Sequence, residues 1–436
     1  MGLGKTACTL TAIVDLINSL QVCKVLVVGP KKVAKFVWAE EAQSWEHTKQ
    51  LRMSVVIGTE KQRLAALNAP ADIHTINVEN LQWLETTLIR HKELVLHGDR
   101  KRSPYDLIVC DESDLFKNRA TKRFKVLKRM ARLANYVVLL TGTPATEGMQ
   151  HLWSQFALLD DGKRLGGTFT GFLGMHFKDV GYQFPKWVLK SKQAEQIIHN
   201  KIADITFTLK AEDHLQLPKE NRIVRYVHLD PAERRVYDTF LRDAVLPLVN
   251  GEVLTAASAS ALAIKLAQLA NGNLYDTERK VHCIHKRKLE ELQLLFTEAQ
   301  GSPLLVGVEF LHDRDMIVKE FGAKVFDDKR STLDGWNAGK YDMMVIHPRS
   351  GGHGVNLQHG PGHTLIRYGM LHSLGLFLQL FARLHRSGQK SPFVNHYLIL
   401  TRDTIDEEIL RLVEQKRFSH EGLLDAMKRY MTKLQS

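Results

Sequence analysis

Short, unbroken apolar runs alternate with stretches of helical periodicity along much of this chain. Lys24-Val-Leu-Val-Val-Gly29-Pro30 is the clearest run. Ending at a breaker and lacking polar alternation, it predicts a strand buried on both faces. Similar runs occur at Met53–Ile57, Ala71–Ile76, Leu107–Cys110 and Val137–Leu140, mostly separated by helical patterns. That rhythm predicts a parallel sheet covered by helices. Strand-like runs return at Pro303–Val308, Met343–Ile346, Thr364–Tyr368 and Val394–Leu400, which predicts a second α/β layer structure. Between Asp160 and about Leu229 the rhythm breaks. Glycines 162, 166, 167, 171 and 174 punctuate a stretch that also holds Phe169, Phe172 and Phe177.

The ends of the predicted strands carry the candidate chemistry. Met1-Gly2-Leu3-Gly4-Lys5-Thr6 opens a helix expected from about Lys5 to Leu20 and reads as the downstream half of a phosphate-binding loop. Gly2 and Gly4 let backbone N–H groups approach phosphate oxygens. Lys5 would reach the β- and γ-phosphates, and the Thr6 hydroxyl would ligate Mg²⁺. The same residues also fit an acylation site at Gly2. Tyr105-Asp-Leu-Ile-Val-Cys110 runs into Asp111-Glu112-Ser113-Asp114, placing carboxylates where parallel sheets bind ligands. Asp111 is expected in the Mg²⁺ shell and Glu112 beside the attacking water; a solvated turn is the plain alternative. Val137-Val-Leu-Leu140 leads into Thr141-Gly-Thr-Pro144. In the second half stand Ser350-Gly-Gly-His-Gly354-Val-Asn-Leu357 and Gln379-Leu-Phe-Ala-Arg383-Leu-His-Arg386-Ser-Gly388-Gln389, the latter with its arginines three apart on one expected helical face.

Charge narrows the partner. Sixty Lys and Arg against 48 Asp and Glu leave +12, which favours a polyanion. Lys122, Lys125, Arg129 and Arg132 share one face of a helix whose other face carries Phe124, Leu127 and Ala131; a solvated basic face is favoured over phosphate contact. Four cysteines without a Cys-x-x-Cys pair suggest a reducing compartment and no disulfide frame. No apolar run approaches the ~18 residues of a membrane span. His282-Cys283-x-His285 holds zinc-ligand types but no second pair at finger spacing, so a helix start leading to Lys288–Phe296 is preferred to zinc.

In this order, the phosphate loop, the Asp-Glu box and Thr-Gly-Thr-Pro resemble the first lobe of helicase superfamily two. Met-Gly-Leu-Gly-Lys-Thr, Lys117-Asn118, Leu152-Trp153, the Gln379–Gln389 stretch and Thr404-Ile-Asp-Glu407 resemble its Swi/Snf branch, in the compact form of bacterial or bacteriophage members. Asp114 and Glu147 depart from that pattern, standing where His and Asn are usual. The resemblance implies two RecA-like α/β lobes with helical protrusions and an ATP site between them. The expected bounds are 1–220, with a helical extension from about 160, and 221–436, with Val224–Leu229 in the crossover. Gly354 and Gln379 then belong to the nucleotide-binding set, and Arg386, with Arg383, acts as an arginine finger. The implied activity is Mg²⁺-dependent ATP hydrolysis that moves a monomeric motor along duplex DNA, without sequence reading, in the cytoplasm of a bacterium or phage-infected cell. A DNA-binding scaffold with impaired ATPase and a strand-separating DNA or RNA helicase remain the alternatives. A phosphate loop also needs a strand leading into it, so residues before Met1 are expected in the complete protein.

Overall fold

The computed structural model describes residues 3–96, 102–142, 145, 148–181, 187–209, 216–249, 256–276, 278, 280–327, 329–348, 356–370 and 374–414, except for the side chains of 243–249, 256–260, 374–375 and 377–378. The chain forms two compact units, Leu3–Lys210 and Ala211–Ser436.

The first unit is built on five parallel strands: β1 (Val25–Gly29), β2 (Met53–Val55), β3 (Ile73–Asn77), β4 (Leu107–Asp111) and β5 (Tyr136–Leu140), in the order β2-β3-β1-β4-β5. Every residue of β1, β3 and β4 is buried, which is why their sequences show no polar alternation. Successive residues serve two cores. Val25, Val27, Leu107 and Val109 pack with Leu10, Ile13 and Val14 of the first helix, Lys5–Asn18. Leu26, Val28, Ile76, Ile108 and Cys110 face the helices Leu81–Arg90 and Lys122–Ala131 on the other side.

The first helix has 14 residues and so is about 21 Å long. Residues 19–24 bring its carboxyl end directly to the start of β1. It therefore runs antiparallel to the strands, and its amino end lies toward their carboxyl edge. Beyond β5 the helices Leu152–Asp160, Phe169–His176 and Lys192–Ile202 join an antiparallel hairpin of β6 (Phe177–Asp179) and β7 (Trp187–Leu189). Trp153, Phe172, Phe177 and Ile198 form their common core, which accounts for two of the phenylalanines scattered among glycines.

Of the four basic residues expected on one helical face, Arg129 and Arg132 find acidic partners within this unit. Arg129 pairs with Glu85 at 2.6 Å, and Lys128 and Arg132 both reach Asp161. Lys122, Arg123 and Lys125 are exposed. The charge excess is concentrated here: residues 3–210 carry thirty Lys and Arg against twenty Asp and Glu, the rest thirty against twenty-eight.

The second unit holds β8 (Lys219–Val227), the hairpin β9 (Asn273–Tyr275) and β10 (Val281–Cys283), then β11 (Leu304–Gly307), β12 (Lys324–Val325), β13 (Met343–Ile346), β14 (Thr364–Arg367) and β15 (Phe393–Thr401). Six of these make a parallel sheet ordered β12-β13-β11-β14-β15-β8. The segment expected as a crossover is thus mostly the second half of a nine-residue strand, paired along its whole length with Phe393–Thr401. At the sheet's edge β8 is only partly covered, so its mixed Arg, Asn and Val content hid it from a search for apolar runs.

His282 and Cys283 lie in β10 rather than in a helix start, and the helix begins at Arg287. His282 Nε2 pairs with Asp276 at 2.8 Å, whereas the buried His285 uses Nε2 on the Leu269 carbonyl. Among the described residues no group of three or more His, Cys, Asp or Glu could hold a metal, and all four cysteines are free. A buried ion pair joins the unit's closing elements: Lys288 Nζ donates to Asp406 at 2.6 Å and to Asn271 at 2.8 Å, and Asp406 also accepts the Thr401 N–H. Among the described residues no helix is long and apolar enough to cross a membrane.

Candidate active site

In the first unit the candidate residues fall on two structural features. Gly4 caps the first helix in the left-handed region, at φ +68°, which glycine adopts without a Cβ penalty. No side chain among the described residues caps that end, and its first turn holds no acidic residue. The free N–H groups and the helix dipole there attract an anion. Lys5 and Thr6 come next, both half-buried, while Thr9 turns its hydroxyl back to the Lys5 carbonyl. Gly2 lies outside the described residues.

Asp111 closes β4, and Glu112 leaves it with φ +59° and ψ +61°. Left-handed backbone at a non-glycine residue costs roughly 1–3 kcal/mol and concentrates at functional sites. Both side chains are nearly buried, at 8% and 9% exposure, so neither is the solvated turn that an Asp-Glu pair commonly marks. The next residue is tied down as well: Ser113 Oγ donates to Gln155 Oε1 at 2.8 Å, both groups buried.

Asp111 is oriented by a residue the sequence did not single out. The fully buried Trp38 donates its indole N–H to Asp111 Oδ2 at 3.1 Å. Trp38 comes directly after a wide π-helical turn, Val33–Val37, at the carboxyl end of β1. One extra residue per turn rotates the phase of the next helical residues by about 100°. Thr75 of β3 donates its hydroxyl to the Ala34 carbonyl in that turn, at 2.6 Å. No periodicity in the sequence marks such a phase change; the lone signal is a tryptophan shortly after a strand-ending Gly-Pro. Of the Thr-Gly-Thr-Pro stretch, Thr141 and Gly142 are described, and Thr143, Pro144 and Glu147 are not.

In the second unit the helix Leu374–Phe381 carries Gln379, which is buried; its Oε1 meets no partner among the described residues. The helix stops there. Arg383 and Arg386 lie beyond it, in a tight turn held by the bonds Arg383 N–H to Leu380 O, His385 N–H to Phe381 O and Arg386 N–H to Leu384 O. The expected shared helical face is therefore corrected: their placement comes from tertiary contacts. Arg386 Nη1 donates to Asn356 Oδ1 at 2.9 Å, joining the arginine turn to the end of the glycine-rich stretch. That end is pinned in turn by Trp336, whose indole N–H donates to the Leu357 carbonyl at 3.0 Å. Gly354 lies outside the described residues.

The SNF2-related domain family matches residues 1–279. Protein p41 of Acyrthosiphon pisum secondary endosymbiont phage 1 is 33% identical over 98% of this chain and 94% of its own length. The ATP-dependent helicase YqhH of Bacillus subtilis (strain 168) is 22% identical over 93% of this chain and 73% of its own. Among solved structures, the Sulfolobus solfataricus SWI2/SNF2 ATPase core in complex with dsDNA aligns with 99% of this chain and 89% of that one, at 19% identity and a TM-score of 0.41.

Proposed function

The chain belongs to the SNF2-related domain family, and from that premise we propose that it hydrolyses Mg²⁺-ATP to move along duplex DNA. One observation carries the catalytic part: Glu112 sits at the end of a fully buried strand in a strained left-handed conformation, beside a carboxylate oriented by a buried indole. Strain of that kind persists only where the surroundings over-determine it.

The roles rest on charge and position. Gly4, Lys5 and the open helix end hold the phosphates. Glu112 accepts a hydrogen bond from the attacking water and turns its lone pair toward the γ-phosphorus. Thr6 and Asp111 are hard oxygen donors and fit Mg²⁺, which takes few protein ligands and completes its shell with phosphate and water. When bound, Mg²⁺ offsets charge on the β- and γ-oxygens. Arg386, with Arg383, offsets the charge that spreads over the transferring phosphoryl group, a contribution on the order of 10³–10⁵ in rate for arginine fingers. Gln379 and Gly354 complete the nucleotide-binding set.

Duplex DNA as partner is supported by the charge excess of residues 3–210 and by exposed Lys31, Lys35, Lys122, Arg123 and Lys125. Turnover measured without nucleic acid, with single strands and with duplex DNA tests the reading. Duplex DNA should stimulate most, and more weakly as salt rises. Glu112→Gln should lose at least about 100-fold in turnover yet bind ATP normally, whereas Lys5→Ala should weaken both. Equal turnover in all three conditions, or near-normal turnover in Glu112→Gln, would refute it.

A further inference from the structure

The turn that carries Arg383 and Arg386 has lost its helix, so something else must fix where the two guanidinium groups point. Three contacts do so. Leu384, between the arginines in sequence, is fully buried with Leu380 and Val394. Phe381, the last helical residue, is sandwiched between two imidazoles: its centroid lies 4.9 Å from His385 at 19° and 4.7 Å from His396 at 18°. His396 belongs to β15 and is buried. His385 also reaches the chain just before β8, its Nε2 standing 2.8 Å from the Pro218 carbonyl. A carbonyl can only accept, so Nε2 carries the hydrogen.

We infer that His385 is a positioning residue for Arg386: stacked on Phe381 and bonded to Pro218, it indexes the arginine turn to β8 and β15 rather than to the helix that precedes it. The inference rests on the function proposed above. Its physical basis is simple. Arg386 comes directly after His385, and its guanidinium needs a fixed backbone to keep its approach to phosphate. A displacement near 1 Å in such a group costs on the order of 100-fold in rate. The stack restrains the ring face, and the bond to Pro218 restrains rotation about it, so the two contacts are complementary. Pro218 lies near the start of the second unit, where β8 begins to pair with β15. The turn is thereby held by the two strands that close one edge of the sheet.

The test uses the full chain with ATP and duplex DNA. His385→Phe keeps an aromatic ring for Phe381 and removes the donor; His385→Gln keeps a donor and removes the ring. His385→Phe is expected to lower stimulated kcat by about tenfold or more, with KM for ATP changed less than about threefold and the thermal melt close to wild type. His385→Gln should recover part of that loss. In the Arg386→Ala background, His385→Phe should cost almost nothing further, because its effect passes through Arg386. Wild-type kcat in His385→Phe overturns the inference, and so does a full additional loss in the Arg386→Ala background. Should His385→Phe fail to fold, His385→Gln decides alone: undiminished kcat, or a loss confined to KM, overturns it. A wild-type chain without ATP turnover, or an Arg386→Ala chain as active as wild type, brings down the proposed function itself and this inference with it.

Discussion

Trp38→Phe tests the most specific link between fold and chemistry in the first unit. The substitution keeps an aromatic ring in a fully buried site but removes the N–H that Asp111 Oδ2 accepts at 3.1 Å. A hydrogen bond to a charged group contributes about 1.5–3 kcal/mol. The smaller ring adds a cavity term of roughly 1 kcal/mol. The first unit should therefore lose about 2.5–4 kcal/mol of stability, read from the denaturant midpoint. The functional effect should be separate from that loss. Groups that orient a metal-binding side chain typically contribute about 10–100-fold to metal affinity. The readout is ATP affinity with Mg²⁺ and with EDTA, measured on a Glu112→Gln background so that nothing is hydrolysed. Mg²⁺ should strengthen ATP binding in the parent, and Trp38→Phe should shrink that gain by about tenfold while affinity in EDTA stays within about twofold. A Trp38→Phe chain that loses stability yet keeps the whole Mg²⁺-dependent gain would show that the indole only packs, and that Asp111 needs no help to bind metal.

Three further outcomes follow, two from the structure and the last from the proposed function. Lys288→Met strips the cation from a pair in which both side chains are fully buried, and should cost about 3–5 kcal/mol in the second unit's denaturant midpoint; a loss under about 1 kcal/mol would mean Asp406 is satisfied by Thr401 and its other neighbours. Burial lowers His74 and His396 to about 4, so the unfolded chain binds protons that these rings in the folded chain do not as pH falls below about 6.5. Stability from each is complete above that pH and is lost progressively down to about pH 4, by up to about 3 kcal/mol per ring, and His74→Gln should flatten the slope for the first unit; an unchanged slope removes the assignment. ATP should drive displacement of a triplex-forming strand while a forked duplex stays mostly paired, and efficient unwinding of the fork without triplex displacement would replace translocation with strand separation.

Legibility in the sequence divides along one physical line. Where burial is two-sided the strands are mostly apolar, and β1, β4, β11 and β13 are all present near the runs that predicted them; β3 is equally buried yet carries His74, Thr75 and Asn77. The Asp111-Glu112 pair drew attention because acidic residues at the carboxyl end of a parallel strand lie where such sheets bind ligands, although a solvated turn shares that sequence. Edge elements carry a weaker imprint. β8 is nine residues long, yet it reads as polar linker because only part of each side chain is covered. The basic helix shows a different limit. Its spacing was right, but Glu85 and Asp161, the partners that neutralise Arg129, Lys128 and Arg132, lie far away in sequence.

The arginine turn shows why local geometry can escape a sequence reading. Gln379-Leu-Phe-Ala-Arg383-Leu-His-Arg386 has nothing in it that forbids a helix: no proline, no glycine, and arginines at helical spacing. Local propensity alone extends the helix through Arg386. The structure ends it at Phe381 because two non-local contacts compete with the next intrahelical bonds: His396 of β15 stacks on Phe381, and the Pro218 carbonyl takes up His385. Each backbone bond forgone contributes only about 1 kcal/mol net, so an aromatic stack on the buried His396 and one good hydrogen bond suffice to tip the balance. Gly388, at φ +90°, then lets the chain turn toward β15. A helix would have spaced the two guanidinium groups by its own regular rise. A turn lets the strands space them, and so ties the chemistry expected of Arg386 to the packing of the sheet beneath it.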